Sequence, residues 1–597
     1  MLSWMDEPRS PFLRLLRNRI DLDRIPFTER GSRLMLLRDR EGFAIRLAER
    51  WLKRDLEPAA YRVRPAMVDG LQWTDGDGNV LSVEVVTYPH AVFCRTSVGE
   101  FVITFLDSET FLVSLPAARC GVRFRAHLDQ LQTDRRGGVL RLTGEIRRNL
   151  AYTTNAAVSQ HEAGNGGAGP QQVQLLLDAT GGGRALLVNI TPRLGFNRWV
   201  PSVAEVLKSA EKLWHAWFAA VPGVADALRA QYYYAWWTMR AGLISSRYFI
   251  TREVMTPSKL HYVGSWQWDN FFHALAYRYV EPRLAQDQLR ILLDHQRDDG
   301  MIPDAVHDEG TVTHLTYPVE ADVTKPPLIA WAAWKLFEQD HDREFLDEIY
   351  QPLVRSNTWW FEKNDLDRNG LCEYQHPFSS GLDDSPLWDG GMPVEAPDLN
   401  TYLCLQQEAL ARIAGVLGER QDAALWAQRA DNMAQRMIRH MWDPATGVFV
   451  ARRDGNPIPV RTPFGLFPLL TGRMPVEIVG SLAAHLSDER EFWLRFPVPT
   501  VAANDPTFEA ETMWRGPTWI NVNYLLIEGL QRSGLADMAR ELRQRTLDLV
   551  NRSPDLYEYY HPLTGERPPK AASTFGWTAA LFIDLAIQAS RESLHSD

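Results

Sequence analysis

Residues 379–389, Ser-Ser-Gly-Leu-Asp-Asp-Ser-Pro-Leu-Trp-Asp, bring three carboxylates and an indole together within eleven positions. The glycine and the proline favour a turn over a continuing helix, so we expect this segment on a loop. A carboxylic acid beside a flat aromatic face suits a sugar site, because the acid can protonate a glycosidic oxygen while the indole packs on the ring. The alternative is a helix-capping turn with solvated acids, and the turn alone does not decide between them.

Three further clusters in the second half of the chain combine Trp with charged or amide residues near predicted helix starts. They are Ser-Trp-Gln-Trp-Asp-Asn-Phe-Phe-His at 265–273, Trp-Arg-Gly-Pro-Thr-Trp-Ile-Asn-Val-Asn at 514–523, and Tyr-Glu-Tyr-Tyr-His-Pro-Leu-Thr-Gly at 557–565, which Phe-Gly-Trp-Thr-Ala-Ala follows at 575–580. In a ring of helices such starts converge at one end. Clusters far apart in sequence are therefore expected to line one cavity.

The composition narrows the class of protein that carries these clusters. A chain of 597 residues predicts roughly two to four domains. The net charge of −11 and the pI near 5.8 argue against nucleic acid as a partner, because binding phosphates needs a basic surface. There is no uninterrupted apolar run of about 18 residues, so no membrane span is expected. The 21 tryptophans suit a carbohydrate-binding surface.

The chain start and the cysteines point to the cytoplasm. Residues 1–20 contain several charged residues and no long apolar run, so a secretory signal is not expected. The four cysteines, Cys94, Cys120, Cys372 and Cys404, are scattered and lack metal-ligand spacing. We expect buried free thiols in a reducing compartment.

The first part of the chain alternates with the short period of β-strands. Strand-like runs lie at 81–88, 101–106, 139–146 and 173–178, and turn signals such as Asp-Gly-Asp-Gly-Asn at 75–79 separate them. Many short strands at this spacing predict an antiparallel β-sandwich, which we place at residues 1–200. The Gly-rich residues 159–171 are expected to form a flexible loop within it.

From about residue 201 to 597 the apolar period becomes helical. Ser202 and Glu205 form a capping-box pattern before an amphipathic run through Leu207, Leu213 and Trp217. Another stripe runs along residues 423–441 at three- and four-residue intervals. Roughly a dozen paired helices suit either a solenoid or a closed double ring. Because no fixed-length repeat is present, the closed ring, an (α/α)6 barrel, is preferred.

The four clusters in their order resemble motifs of glycoside hydrolase family 63. The motifs are Trp-x-Trp-Asp-x-Phe-Phe-His, Ser-Gly-x-Asp-x-Ser-Pro, Trp-Arg-Gly-Pro-x-Trp, and Glu-x-Tyr-x-Pro-x-Thr-Gly leading to Phe-x-Trp-Thr-Ala-Ala. They are similar to those of the mannosylglycerate and glucosylglycerate hydrolases, and more distantly to those of the trehalases. Each motif alone is weak, whereas four in order over about residues 230–590 are specific. The first part of the chain looks similar to the β-sandwich domains that precede such barrels.

The resemblance implies an inverting hydrolase with Asp383 as the general acid and Glu558 as the general base. Asp384 is the alternative candidate for the general acid. Asp389 is expected to support the site without touching the substrate. Inversion needs the two carboxyl groups about 6.5–9.5 Å apart, so that a water fits between the base and the sugar. Trehalases and many relatives have Glu in the place of Ser379. This departure puts contacts with sugar hydroxyls, and hence the substrate, in doubt.

The resemblance also implies five residues that bind the substrate. Trp268 and Asp269 are expected on the terminal sugar ring, although Trp268 could be core and Asp269 a helix cap. Arg515 and Trp519 are expected to border the same pocket, with Arg515 free for an anionic aglycone such as glycerate. Its alternative is a structural ion pair with Glu509 or Glu511. Trp577 is expected as a wall residue, with core burial as the alternative.

A separate segment at 365–373 matches the first half of a calcium loop. Its oxygen ligands are Asp365, Asp367, Asn369 and Glu373, with glycine in the sixth position. Position twelve is His376, so the segment is not an EF-hand. Similar loops hold a structural calcium in some relatives of the family. An Asx-rich turn without metal is the alternative, and no cofactor is expected to be required.

The sequence thus predicts an inverting, exo-acting glycosidase of short α-glucosides or related α-glycosides, with a small glycoside as its partner. A trehalase or a debranching-type α-1,6-glucosidase is the nearest alternative. A phosphorylase would keep the acid and use phosphate in place of the base. A carbohydrate-binding protein without catalysis would need Trp and amides but no positioned acid and base. The sequence leaves the sugar, the linkage and the oligomeric state open.

Overall fold

The computed structural model describes residues 7–50, 65–142, 148–164, 169–193 and 195–596. The chain divides into two compact units. The first contains the residues up to Val221 together with Arg240–Ile244 and Lys259–Val263. The second contains Pro222–Met239, Ser245–Ser258 and the residues from Gly264 onward.

The first unit is built on two antiparallel sheets with strand orders β1-β2-β3-β8-β13-β12 and β4-β5-β6-β7-β14-β11-β10-β9. The strands are β1 (Leu34–Arg38), β2 (Phe43–Leu47), β3 (Val68–Asp75), β4 (Glu84–Tyr88), β5 (Ala91–Thr96), β6 (Gly99–Asp107), β7 (Thr110–Ser114), β8 (Arg119–Ala126), β9 (Gln130–Asp134), β10 (Gly137–Leu142), β11 (Arg148–Thr154), β12 (Ala157–Gly164), β13 (Gln171–Asp178) and β14 (Ala185–Thr191). Two helices also belong to this unit, α1 (Pro11–Leu15) and α2 (Val203–Ala219).

Aromatic side chains hold the two sheets together. Trp73 of β3 stacks on Phe101 of β6 with ring centroids 4.6 Å apart, and Phe124 of β8 meets Tyr152 of β11 edge-on at 5.6 Å. All four rings are buried, as expected where the inner faces of two sheets meet. The prediction of an antiparallel β domain in the first part of the chain is confirmed.

Two local predictions in this unit are wrong. Residues 159–164 belong to strand β12, because they pair with β13 despite their polar composition, and residues 165–168 lie outside the described part of the chain. Helix α2 begins after Ser202 as predicted, but the Ser202 side chain makes no capping hydrogen bond. Leu213 of the predicted apolar stripe is 56% exposed, whereas Trp214 is buried in its place.

The second unit is mainly helical. Its helices are α3 (Arg229–Ala241), α4 (Gln267–Tyr277), α5 (Pro282–Leu293), α6 (Ile329–Asp340), α7 (Arg343–Lys363), α8 (Pro397–Leu417), α9 (Arg420–Met441), α10 (Val476–Leu486), α11 (Ile520–Arg532), α12 (Ala536–Asn551) and α13 (Gly576–Ser596). Its 3-10 helices are Asp226–Leu228, Pro377–Ser380, Pro386–Trp388 and Pro463–Thr471. Its strands, of two or three residues, are Val254–Met255, Ser265–Trp266, Ala305–His307, Gly310–Val312, His314–Leu315, Ala321–Asp322, Glu373–Tyr374, Val394–Glu395, Trp442–Asp443, Val448–Phe449, Arg452–Arg453 and Asn456–Pro457. The two-residue strand Leu243–Ile244 belongs to the first unit. The predicted helical second part of the chain is confirmed.

Neighbour packing in this unit follows an alternating order. One set of elements within the described residues packs in the sequence α4, α6, α8, the 3-10 helix 463–471, α11 and α13, and α13 packs on α4 again. The intervening helices α5, α7, α9, α10 and α12 each pack on a member of that set. Burial agrees with this order. Every residue of α4 is buried, whereas α9 buries a single stripe of Trp426, Ala430, Met433, Ala434, Met437 and Met441.

Two further expectations concern the whole described chain. The four cysteines are free and buried, as predicted. No helix within the described ranges has both the length and the apolar character required to cross a bilayer.

A buried charge ties three helices of the second unit together. The carboxylate of Asp584 on α13 accepts hydrogen bonds from Arg278 at 2.7 Å, Tyr279 at 2.5 Å and Tyr524 of α11 at 2.6 Å. Arg278 directly follows α4. Burial by itself would raise the pKa of Asp584, but the Arg278 charge and the hydroxyl donors outweigh it, and this pKa lies below its usual value. The carboxylate therefore stays ionised inside the helical unit.

We predict that Asp584→Ala lowers the free energy of unfolding by about 3–5 kcal/mol at neutral pH, because it leaves the Arg278 guanidinium buried without its anion. Urea denaturation measures this loss. Because the folded-state pKa is lowered, the stabilisation is present above about pH 4 and is lost as the pH falls through the folded-state pKa. Asp537→Ala, which removes an exposed ion pair with Arg540, is the control and should change little. An equal effect of the two variants would contradict the prediction.

Candidate active site

Close packing between Trp268 and Gly381 brings the first two clusters together. Trp268 lies in the first turn of α4 and is buried. A Cβ atom on Gly381 would lie 2.3 Å from Cζ2 of this indole, and Gly381 has a φ of +71°. Both the space and the backbone conformation therefore require glycine. The loop that carries Asp383 is placed directly against the start of α4.

The tryptophans of the other two clusters surround the same indole. Trp268 meets Trp577 edge-on at 5.3 Å and Trp514 at 6.0 Å. Trp514 stacks on Trp519 with centroids 3.7 Å apart, and Trp519 contacts both Tyr559 at 4.8 Å and Trp577 at 5.4 Å. Residues from three of the clusters thus form one aromatic group, although they are up to about 300 positions apart in sequence, and Gly381 of the fourth cluster packs against it.

Asp383 carries an available carboxylate at this group. Its residue surface is partly exposed, and its Oδ1 atom is buried with no hydrogen-bond partner in the described structure. Burial raises the pKa of Asp383 to about 7; the Lys325 ammonium opposes the rise, and the charges of Asp304 and Asp384 add to it. A carboxyl group with such a pKa is protonated in a substantial fraction of molecules near neutral pH.

Lys325 is the buried cation among these acids. Its Nζ lies 2.6 Å from Oδ1 of Asp304 and donates a hydrogen bond to the carbonyl oxygen of Phe378 at 2.5 Å. The backbone N–H of Lys325 donates to Gln267 Oε1 at 2.9 Å, next to Trp268. Burial would lower the pKa of Lys325, but the charges of Asp304, Asp383 and Asp269 outweigh it and raise this pKa. Lys325 therefore stays an ammonium.

Glu558 is a buried carboxylate whose charge acts on Asp269. Its Oε2 atom accepts the backbone N–H of Ala572 at 3.0 Å, and its own N–H donates to the Ala572 carbonyl at 2.9 Å. These two bonds fix the side chain and the backbone of Glu558 in a buried position. Burial raises the pKa of Asp269 well above its usual value; Lys325 opposes this rise and Glu558 adds to it. Asp269 thus faces both Glu558 and the cation that Asp383 also faces.

The other two acids of the segment 379–389 hold a neighbouring loop. Asp384 Oδ1 accepts the backbone N–H of Trp514 at 2.8 Å. Asp389 forms a two-pronged ion pair with the guanidinium of Arg515, in which Nη1 lies 3.1 Å from Oδ2. Arg515 is therefore paired with Asp389, and neither predicted acid partner, Glu509 or Glu511, fills that place. The three acids of the segment have different surroundings, and Asp383 is the one without an anchor of this kind.

Ser379, Lys325 and Asp304 show where reasoning from sequence was incomplete. Ser379 is buried, and its Oγ accepts the backbone N–H of Thr324 at 3.2 Å. Lys325 and Asp304 were not predicted as site residues. The one signal for them is local: Lys325 precedes Pro326 and Pro327, which disfavour a helix at this position. Nothing in the spacing links this loop to Asp383.

The predicted calcium segment folds as a hydrogen-bonded turn. Asp365 accepts the N–H of Gly370 at 3.1 Å, Asp367 accepts that of Asn369 at 3.1 Å, and Glu373 accepts that of Leu366 at 3.1 Å. The Asn369 oxygen accepts a further backbone N–H from Leu371. Within the described residues, no three His, Cys, Asp or Glu side chains are placed to hold a metal ion. The oxygens serve backbone donors in this arrangement, which favours the alternative of an Asx-rich turn without metal over a calcium cage.

Comparison with known proteins places the second unit among glycoside hydrolases. Residues 262–578 match the family described as the mannosylglycerate hydrolase MGH1-like glycoside hydrolase domain. A mannosylglycerate hydrolase of Thermus thermophilus is 28% identical over 399 residues, covering 54% of this chain and 94% of that protein. A glucosylglycerate hydrolase of Mycolicibacterium hassiacum is 24% identical over 427 residues, with 55% and 93% covered.

Solved structures agree for this unit and extend the likeness to the whole chain. The crystal structure of a GH63 mannosylglycerate hydrolase from Thermus thermophilus in complex with glucose has a TM-score of 0.50 at 27% identity and covers 57% of this chain and 96% of its own. A bacterial glucoamylase complexed with acarbose has a TM-score of 0.59 at 12% identity and covers 99% of this chain and 96% of its own. At that identity the likeness concerns the fold alone.

The turn at 365–373 yields a test for calcium. Because its oxygens accept backbone hydrogen bonds, we predict that the melting temperature in excess EGTA and in about 1 mM calcium differs by less than about 1 °C. Differential scanning calorimetry on the full chain measures both values. Asp367→Asn is the matched variant. A calcium-dependent rise of several degrees that Asp367→Asn abolishes would show instead that the loop rearranges to bind the ion.

Proposed function

The chain belongs to the family of mannosylglycerate hydrolase MGH1-like glycoside hydrolases, and we propose that it is an inverting, exo-acting glycosidase of short α-glucosides or related α-glycosides. The observation that carries the proposal is the Asp383 carboxylate. It is partly exposed, one of its oxygens has no partner in the described structure, and burial raises its pKa to about 7. A group with these properties can hold a proton near neutral pH and release it to a leaving oxygen.

In this mechanism Asp383 is the general acid. Its proton goes to the glycosidic oxygen as the bond from that oxygen to the anomeric carbon breaks. The aglycone leaves as an alcohol, and Asp383 remains as a carboxylate. The Lys325 ammonium, which faces Asp383, stabilises the negative charge that forms there. Asp384, the rival for this role, has one oxygen occupied by the Trp514 N–H, which supports the choice of Asp383.

Glu558 is the proposed general base. It takes a proton from a water molecule, whose oxygen attacks the anomeric carbon on the face opposite to the leaving group. The Ala572 N–H donates a hydrogen bond to Oε2 of Glu558 and so fixes the orientation of this carboxylate. Trp268 and Trp577 supply apolar walls for the sugar ring, and Asp269 accepts hydrogen bonds from its hydroxyls.

We also propose that the alternating helix order closes as an (α/α)6 barrel. The inner elements α4, α11 and α13 begin at Gln267, Ile520 and Gly576, each beside one of the aromatic clusters. Starts of parallel inner helices lie at one end of such a ring. This arrangement accounts for the meeting of Trp268, Trp519 and Trp577 in a single group.

For the aglycone, the ion pair of Arg515 with Asp389 favours a neutral group. An anionic aglycone such as glycerate would have to displace Asp389 from the guanidinium, at the cost of leaving that carboxylate beside a second anion. The T. thermophilus relative is named a mannosylglycerate hydrolase, so the two kinds of aglycone are worth comparing directly.

We predict that a panel of neutral α-glucosyl disaccharides contains a substrate, and that its first product is β-glucose, because attack opposite to the leaving group inverts the anomeric centre. The neutral disaccharides are trehalose, isomaltose and nigerose, and the anionic glycosides glucosylglycerate and mannosylglycerate are assayed beside them. Proton NMR during the first minutes distinguishes the anomers before they equilibrate. In each disaccharide the aglycone is also glucose and leaves with its own anomeric composition. Inversion therefore predicts an excess of β-glucose over that contribution, which for trehalose means equal amounts of α- and β-glucose, and an excess of α-glucose over it would contradict inversion. No release from any glycoside would favour a carbohydrate-binding protein. A substrate preference for the two glycerates would contradict the proposed neutral aglycone.

We predict that Glu558→Gln lowers kcat by about 10²–10⁴-fold, because the amide cannot take a proton from water. Glu566→Gln is the matched control, since Glu566 is exposed in the same loop and should keep full activity. Asp383→Asn should cause a comparable loss for substrates with poor leaving groups. If Glu558→Gln keeps wild-type turnover and this turnover depends on added phosphate, the protein is a phosphorylase and the assignment as a hydrolase is wrong.

A further inference from the structure

Lys325 holds the turn from which Asp383 extends. Its Nζ donates to the carbonyl oxygen of Phe378, which lies in the 3-10 turn Pro377–Ser380. The same carbonyl accepts the N–H of Gly381 at 3.1 Å and so closes that turn. The preceding residue, Thr324, donates its N–H to Ser379 Oγ. Two adjacent residues, Thr324 and Lys325, thus hold the turn at residues 378–381, which lies two to five positions before Asp383 in the sequence.

Lys325 is itself held by a buried anion. Asp304 Oδ1 lies 2.6 Å from Nζ, and both side chains are less than about one-tenth exposed, at 7% for Lys325 and 9% for Asp304. The ion pair is shielded from solvent, so its two charges act strongly on nearby groups. The ammonium thus combines an ion pair with Asp304 and a hydrogen bond to the Phe378 carbonyl oxygen.

The charged groups that face Asp383 come from three places in the fold. They are Lys325 and Asp304, which lie on the loops before α6, and Asp384, its neighbour in sequence. Asp384 is bonded to the Trp514 N–H and itself faces Arg515 and Glu509. Lys325 faces Asp269 in addition to Asp304 and Asp383. It is the cation common to these three carboxylates.

We propose that Lys325 and Asp304 are a positioning pair for the acid: they hold the Asp383 turn and set the pH range in which Asp383 can deliver its proton. This inference rests on the proposed function, because it takes Asp383 to be the acid. Neither residue needs to touch the substrate. The pair acts through its opposite charges: the Lys325 ammonium lowers the proton affinity of Asp383, and the Asp304 carboxylate raises it.

The two charges predict pH shifts of opposite sign. Activity falls as the pH rises through the pKa of the acid, so the alkaline limb of kcat/KM reports that group in the free enzyme. Lys325→Met removes the cation that lowers the pKa of Asp383, and the limb should move up by about one pH unit. Asp304→Asn removes an anion that raises this pKa, and the limb should move down by a similar amount. The double variant should lie between the two.

The experiment measures kcat/KM from pH 5 to 10 on the full chain, with the neutral glucoside that the panel identifies. Lys325→Arg keeps the charge and should keep the limb within about 0.3 pH units even if kcat falls. Lys335→Met is the control, since Lys335 on α6 is paired with Glu528 at 3.0 Å and is not among the groups that face Asp383. Its limb should not move. Circular dichroism melts confirm that each variant is folded at the assay temperature.

The outcomes separate this inference from the function on which it rests. Opposite shifts for Lys325→Met and Asp304→Asn support the positioning pair. Loss of kcat with an unmoved limb in both folded variants overturns it and leaves the glycosidase intact, provided that Asp383→Asn is still inactive. An active Asp383→Asn variant overturns the assignment of the acid and this inference together. If Lys325→Met does not fold, shifts by Asp304→Asn and by the double variant decide the question.

Discussion

The ammonium of Lys325 is the interaction on which the rest of the site depends. Asp269, Asp304 and Asp383 crowd into a region walled by tryptophans, where burial raises the pKa of each carboxyl group. Uncompensated buried anions are costly, and a single cation cannot neutralise three of them. The excess of negative charge therefore favours a protonated carboxyl group, in agreement with the pKa of Asp383, which burial raises to about 7.

The loop that contains Thr324 and Lys325 both supplies the charge of the site and holds the backbone near Asp383. Lys325 bonds a carboxylate on one side and the Phe378 carbonyl on the other, and Thr324 bonds Ser379. At position 379 this chain has a small hydroxyl, Ser379 Oγ, that anchors the loop. A carboxylate at position 379 would bring a further anion close to Asp383. Ser379 is thus a structural link between its own turn and the loop of Thr324.

Asp383, Asp384 and Asp389 lie in one turn but have different partners and therefore different roles. Asp384 accepts a backbone N–H and Asp389 binds Arg515, so both fasten the loop that carries Trp514 and Trp519. Asp383 Oδ1 has no such partner in the described structure. Gly381, two residues earlier, packs closely against Trp268.

Periodicity and motif order by themselves determined a β domain followed by a helical one, the four clusters, and family membership. Burial patterns such as that of α9 follow from spacing alone, because a helix repeats every 3.6 residues. Residue spacing did not predict the structure where strand pairing or a contact with another segment decides the conformation. Strand β12 forms from a Gly-rich segment because β13 lies beside it, and the oxygens at 365–373 turn to their own backbone. Likewise, Arg515 pairs with an acid 126 positions away, and Lys325 reaches Asp304 and the 378 turn across loops that no local pattern connects. These are contacts between distant segments, and only the folded chain brings their charges within range of each other.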